Sequence, residues 1–204
     1  LDLLGISEHA PGIPGTCEPI YFSNLRVAPR NLYGVELVYG CEINVLNDGT
    51  LSLKKYAEKL DYAIVGIHGL CYEDAGRERN TDNVTSCMEH PKVRFVSHPD
   101  DDHTPLDYER LVLGAKKNHV ALEVNNSSLL KQEKRLNCVE NYKEMLRLCM
   151  GYAVPVVVSS DAHDPFYVGR FAESCELLNE AEFDRELIVN TSVEKFKRFI
   201  AMAI

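Results

Sequence analysis

Residues Val154–His163 read VPVVVSSDAH. A run of β-branched residues ends in two serines, and Asp161 and His163 follow with one small residue between them. This is the pattern of a buried parallel strand, apolar on both faces. Such a strand delivers Asp161 and His163 to the rim of a sheet or barrel, and the carboxyl ends of parallel strands are where these folds place their chemistry. An Asp-x-His alone is a weak signal, because a capping aspartate beside a loop histidine looks the same. Repetition strengthens it. Leu3–Ser7 runs into Glu8-His9, and Glu36–Ile43 carries Glu42 and Asn44 near its end. Asp61–Ile67 runs into His68, Val93–Ser97 into His98, and Val120–Val124 into Asn125-Asn126.

Helical patterns alternate with these runs. Tyr108–Asn118 puts Leu111, Val112 and Ala115 on one face, and Asn137–Met150 puts Val139, Tyr142, Leu146 and Cys149 at core spacing. Helices are also predicted over Asn80–Glu89, starting from an Asn or Thr cap, and over Gly169–Glu180. Leu187–Val189 reads as a short last strand. Thr191 with Glu194 forms a capping-box pattern that opens a final helix running to Ala203. The alternation predicts parallel strands with helices outside, an α/β barrel or a doubly wound sheet, in a single domain over 1–204.

The 204 residues are 45% hydrophobic and 26% charged, ordinary for a globular protein with a full core. No apolar stretch is long enough to span a bilayer, and no signal peptide is visible. The expectation is a cytoplasmic protein without a membrane partner. A net charge of -9 argues against nucleic acid as the main partner, because duplex binding needs a basic surface. An anionic substrate would then need a local positive charge, such as a metal. The seven cysteines are odd in number and none is spaced C-x-x-C, which predicts reduced, mostly buried thiols. The chain opens on Leu1, directly into a strand, so an incomplete N-terminus is expected.

In a parallel barrel the strand ends converge. Glu8-His9, Glu42, His68, His98, Glu123–Asn126, Asp161 and His163 would then share one rim, a costly gathering of polar groups unless they hold metal. Neutral imidazole suits zinc, manganese or iron, and a carboxylate can bridge two ions. Each choice has a plainer alternative. His68 and His98 could be satisfied core histidines, and Glu42 could pair with an arginine such as Arg30. Asn125 and Asn126 are either turn formers or hydrogen-bond partners behind the ligands. Arg26 and Arg30 are either surface residues or phosphate contacts. His90 and His119 precede strands and map to the opposite rim, while His103 reads as an exposed loop residue.

Six stretches carry a family likeness. They are Ile6-Ser7-Glu8-His9, Gly40-Cys41-Glu42-Ile43-Asn44, Gly66-Ile67-His68, Val96-Ser97-His98-Pro99, Leu122–Ser128 and Ser159-Ser160-Asp161-Ala162-His163. In this order they resemble the motifs of the polymerase and histidinol phosphatase (PHP) superfamily, above all its small stand-alone phosphatases, over nearly the whole chain. The resemblance implies a distorted, TIM-like (β/α) barrel of seven strands holding two to three divalent metal ions, zinc first, with manganese or iron in some members. Carried over by motif, Glu42 would bridge two ions, His68 and His98 would complete one, Asp161 would bind the other, and His9 with His163 would hold a third.

The activity implied is hydrolysis of phosphate esters, a phosphomonoester first, on a phosphorylated small molecule, with metal-activated water as nucleophile. Asp161 and His163 would be the catalytic pair, and Arg26 or Arg30 would help neutralise the phosphate. His163 or a metal-held water would protonate the leaving group. The family's first motif, an Asp-Leu-His-x-His strand, has no counterpart, so a barrel lacking its first strand and helix is expected. Its open edge would need a partner, such as a second copy in a homo-oligomer. Two other readings stand beside this one. One is a non-catalytic barrel with a partial metal site. The other is a PHP module with nuclease or phosphodiesterase activity associated with a DNA polymerase.

Overall fold

The computed structural model describes residues 1–52 and 59–202. Strand β1 (Leu3–His9) pairs in parallel with β3 (Val35–Asn44). From there β4 (Tyr62–Gly66), β5 (Val93–Val96), β6 (Ala121–Asn125) and β7 (Val156–Ser159) follow in order, all parallel. The two-residue β2 (Asn31–Leu32) adds a short antiparallel pairing to β3. The helices are α1 (Pro19–Asn24), α2 (Arg77–Cys87), α3 (Tyr108–Asn118), α4 (Asn126–Leu130), α5 (Cys138–Tyr152), α6 (Ala172–Glu180) and α7 (Val193–Ala201). The result is a curled parallel sheet carrying helices, as parallel pairing with helical crossovers demands.

The period of two along each strand sorts the side chains into two cores. Tyr39, Cys41 and Ile43 of β3, Val65 of β4, and Leu122 and Val124 of β6 pack with Leu111 and Val112 of α3 and with Tyr142 and Leu146 of α5. Cys87, Cys138 and Cys149 join this outer core as small apolar side chains. The alternate positions face the inside of the curl. There Tyr62, Phe95, Ala121 and Val157 meet Phe196 and Phe199 of α7. Phe95 and Phe196 stack with ring centroids 5.8 Å apart, and Tyr62 stands edge-on to Phe95 at 5.3 Å. Helix α7 therefore plugs the curl where the strands begin. Further along the same inner rows the residues turn polar: Glu42, Asn44, Glu123 and Asn125, all buried.

Arg94 ties α7 to the sheet. It is 6% exposed, and its guanidinium donates to the carbonyls of Ile200 and Met202. A cation on the last carbonyls of a helix satisfies orphan acceptors and complements the helix dipole.

Several boundaries differ from the sequence reading. Helix α2 begins at Arg77, after Gly76 at φ 83°, ahead of the expected cap. Asn80 lies inside it, fully buried, with Nδ2 donating to Asp74 at 2.7 Å and to the Pro105 carbonyl at 3.1 Å. Helix α6 starts at Ala172, not Gly169. Leu187–Val189 is not a seventh stave. A 3-10 turn covers Arg185–Leu187, and only a parallel bridge between Val156 and Ile188 remains. Helix α7 is capped by Ser192 and not by Thr191; the Ser192 side chain accepts from Lys195 N, and Glu194 falls one position short of a capping box with Ser192. Ala203, its expected end, lies outside the described residues. Among the described residues no helix is long and apolar enough to cross a membrane.

Candidate metal centre

The strand register sets the cluster. His9 ends β1 opposite Glu42 of β3, and Asn44 of β3 lies opposite Gly66, the last residue of β4. His68 and His98 follow β4 and β5 by two residues each. Gly66 leaves the room: a Cβ there would stand 2.2 Å from Ser97 Oγ and 3.1 Å from Glu42 Oε1. Glu42 is 7% exposed. Its Oε1 is 3.1 Å from His68 Nε2 and 3.1 Å from His98 Nε2, and its Oε2 is 3.3 Å from His9 Nδ1. The His9 and His68 rings meet edge-on at 4.8 Å, and those of His68 and His98 at 5.2 Å.

Protons alone satisfy this arrangement poorly. His68 Nδ1 faces Asn44 Oδ1 at 2.8 Å, so Nδ1 carries the proton and the neutral ring turns a lone pair from Nε2 toward Glu42. Burial holds the His68 pKa below its usual value even with Glu42 alongside, which favours that neutral form. His9 Nδ1 is buried with no hydrogen-bond partner among the described residues. Ligand atoms of His9, Glu42 and His68 lie within 4.8 Å of one another. A divalent cation between the carboxylate and the imidazoles satisfies every one of these atoms, so the residues fit a metal. Burial works against the Glu42 charge, yet the His68 and His98 rings at hydrogen-bonding distance outweigh it and keep its pKa well below the usual carboxylate range.

A buried frame stands behind the cluster. Glu123 accepts from the His98 N–H at 2.6 Å, from Ser159 Oγ at 2.6 Å and from Asn125 Nδ2 at 3.1 Å. Burial, opposed by His98 but joined by Asp161 and Glu42, pushes the Glu123 carboxyl up to about 7. Asn125 also caps α4 through Ser128 N and donates to Asp161 Oδ2 at 3.1 Å, so it is both turn former and tether. Asp161 sits at φ 44°, and its Oδ1 is 3.7 Å from His163 Nδ1. The His163 ring is exposed and 6.0 Å from that of His9. A cavity of about 380 Å³ has His9, His68, His98 and Asp161 in its wall, with Asp101, His103 and Arg135 also lining it.

Three of the residues picked from the sequence lie elsewhere. Arg30 forms an ion pair with Asp61 and lies over the Tyr39 ring at 5.1 Å. Asp61 immediately precedes β4, so Arg30 belongs to the opposite rim and does not reach the cluster. Arg26 is exposed on the 3-10 turn Leu25–Val27 and makes no contact with the cluster among the described residues. Asn126 turns away from the cavity. Its side chain holds Glu173 at 2.8 Å and the N–H of Ser174 at 2.9 Å, fixing the start of α6. His103 is exposed and bonded to Asp101 at 2.7 Å, yet it also lines the cavity. His119 ends α3 at φ 53°, at a helix-to-strand connection. Glu123 and Asn44 were noted near strand ends but given no role, and Arg135 was not picked. Glu123 shares the inner face of β6 with Asn125, a period-of-two signal that pointed to it.

Fold and cluster together define an α/β protein with a metal-competent site at the carboxyl ends of its strands. No family model matches the chain. It is 37% identical over 202 residues to a probable phosphatase of Acetivibrio thermocellus, covering 98% of this chain and 83% of that one. It is 34% identical over 202 residues to a probable phosphatase of Clostridium novyi, covering 98% of this chain and 82% of the other. The chain belongs to this family of probable phosphatases. Two solved structures share the fold. A chain of archaeal ribonuclease P with mature tRNA matches with TM-score 0.65 and 18% identity, over 98% of this chain and 81% of its own. Histidinol phosphate phosphatase of Lactococcus lactis, in complex with zinc, L-histidinol and phosphate, matches with TM-score 0.58 and 13% identity, over 90% of this chain and 83% of its own.

Proposed function

We propose that the protein is a metal-dependent phosphomonoesterase of the PHP superfamily, acting on a phosphorylated small molecule. The observation that carries this is the convergence of His9, His68 and His98 on the Glu42 carboxylate, with His9 Nδ1 buried and unsatisfied. The family of probable phosphatases supplies the reaction class, and the zinc-bound histidinol phosphate phosphatase of the same fold supports both a divalent metal and a small phosphorylated substrate. We read the curled sheet as part of a distorted TIM-like barrel of the PHP type, with β1 and β7 at its ends.

In this reading His9, Glu42, His68 and His98 hold the ions, Asp161 and His163 complete their ligation, and zinc is the first choice among zinc, manganese and iron. Bound divalent cations supply Lewis-acid charge to the phosphate oxygens and lower the pKa of a coordinated water. The chain does the rest. Glu42 presents one carboxylate oxygen to His9 and the other to His68 and His98. Asn44 fixes the tautomer of His68. His163 turns Nδ1 toward the Asp161 carbonyl at 3.1 Å, which leaves Nε2 as its ligand atom, and the leaving oxygen takes its proton from water. The net charge of -9 makes a local cation the condition for anionic substrate to approach, and it speaks against a nucleic-acid substrate.

The test is hydrolysis of a nitrophenyl phosphate monoester and of the matching diester, with zinc or manganese added and with a chelator. Monoester turnover abolished by the chelator and restored by metal is expected. Turnover that ignores the chelator, or a preference for the diester, overturns the reading.

A further inference from the structure

We propose that Arg135 is a positioning residue for the metal centre, fixing His98 in the orientation that faces Glu42; this rests on the metal reading above. His98 follows β5 at φ 31°, a backbone conformation that residues with a Cβ rarely adopt. Its peptide groups are held from both sides. The N–H donates to Glu123 Oε2 at 2.6 Å. The carbonyl accepts from Asp100 N at 2.8 Å and from Arg135 Nη2 at 3.0 Å. A ring carried on such a backbone points where these bonds direct it.

Arg135 is itself locked. It takes Asp100 bidentately, with Nε to Oδ2 at 2.8 Å and Nη2 to Oδ1 at 2.6 Å. Asp100 has no exposure, and it is held further by Cys138 Sγ at 2.9 Å, while Asn141 Nδ2 holds its carbonyl at 2.9 Å. The start of α5 is thus bolted to the turn that carries His98. A planar guanidinium is required for this. Nη2 has two hydrogens, one for Asp100 and one for the His98 carbonyl, while Nε completes the fork. A lysine can neutralise Asp100 but cannot reproduce the fork and the third bond together.

Arg135→Lys therefore separates positioning from charge. It keeps a cation opposite Asp100 and releases the His98 carbonyl. Binding of Co²⁺ and Zn²⁺ is measured by equilibrium dialysis, and the visible spectrum of the Co²⁺ protein reports its ligand geometry. The expected result is about a 10- to 100-fold loss of metal affinity with an altered spectrum, the range typical of partners behind a ligand. Val139→Ala, which loosens α5 packing without touching these bonds, keeps the wild-type affinity and spectrum. Arg135→Lys matching the wild type in both readouts overturns the proposal. A wild type that binds neither cation removes the metal reading itself, and this proposal with it. Should Arg135→Lys fail to fold, the unloaded wild type decides alone: a ¹⁵N-labelled His98 ring held in one orientation gives a single narrow set of signals, and ring signals averaged over several orientations overturn it.

Discussion

Glu42 Oε1 faces two imidazoles at 3.1 Å each, and the proton on His98 Nε2 competes with any cation for the same oxygen. Burial works against charge on His98, but the hydrogen bond and charge of Glu42 outweigh it and lift the His98 pKa to about 9 in the unloaded protein. A raised histidine pKa stabilises the fold fully below its ordinary value of about 6.5, and that contribution fades as pH rises through about 9. Glu42, depressed, contributes above the ordinary carboxylate range, and its share is lost only well into acid. In the proposed metal site a cation must displace the His98 proton, so binding near neutrality is expected to release a proton and to tighten as pH rises. Calorimetry in buffers of different ionisation heat reads this directly, and a binding enthalpy independent of the buffer contradicts it. His9, Glu42, His68 and Asp161 stood out in the sequence because each terminates an apolar run. Glu123 was quieter, a carboxylate inside a strand, and its hydrogen bonds to His98 N and Ser159 join three strands that only the sheet brings together.

At the level of elements, α7 has a role its amphipathic pattern did not announce. The pattern says that Phe196 and Phe199 are buried, but not against what. They fill the inside of the curl, where the strand starts offer Tyr62 and Phe95, and so leave the polar ends of the same rows free for the cluster. Phe196→Ala is expected to cost about 3–5 kcal/mol through lost burial and the cavity left behind. Urea unfolding of the unloaded protein measures it. A cost below about 1 kcal/mol would mean that α7 packs loosely there. Helices α3 and α5 fell close to where their periodicity put them, because long amphipathic patterns are hard to mistake. The start of α2 did not, because its cap position is Gly76, which offers no side-chain oxygen to recognise. Leu187–Val189 shrank to one bridge because a three-residue apolar run fits a turn as well as a strand.

The whole molecule gathers the proposed ligands from residue 9 to residue 163 at one rim, so in the metal reading binding and folding are linked. A cation that binds only the folded chain stabilises it by about 2.7 kcal/mol at a hundredfold excess over the dissociation constant. Zinc or manganese should raise the melting temperature, a chelator should cancel the rise, and Glu42→Gln should abolish it, all read by calorimetric melting. An equal rise in Glu42→Gln would place the stabilising ion elsewhere.

The order of the six parallel strands and of helices α2, α3, α5, α6 and α7, and which strand ends carry histidine and carboxylate, were legible in the sequence alone, whereas β2, α1, α4 and the reduction of Leu187–Val189 to one bridge were not. Hydrophobic period reports where a strand runs, and parallel pairing forces every carboxyl end to the same side. Partner choice was decided by the tertiary structure. Arg30 went to Asp61 and not to the cavity, Asn126 to the start of α6, and Arg135 to Asp100 and the His98 carbonyl. Those contacts depend on how far a non-periodic loop folds back across the sheet, and no spacing along the chain encodes that distance.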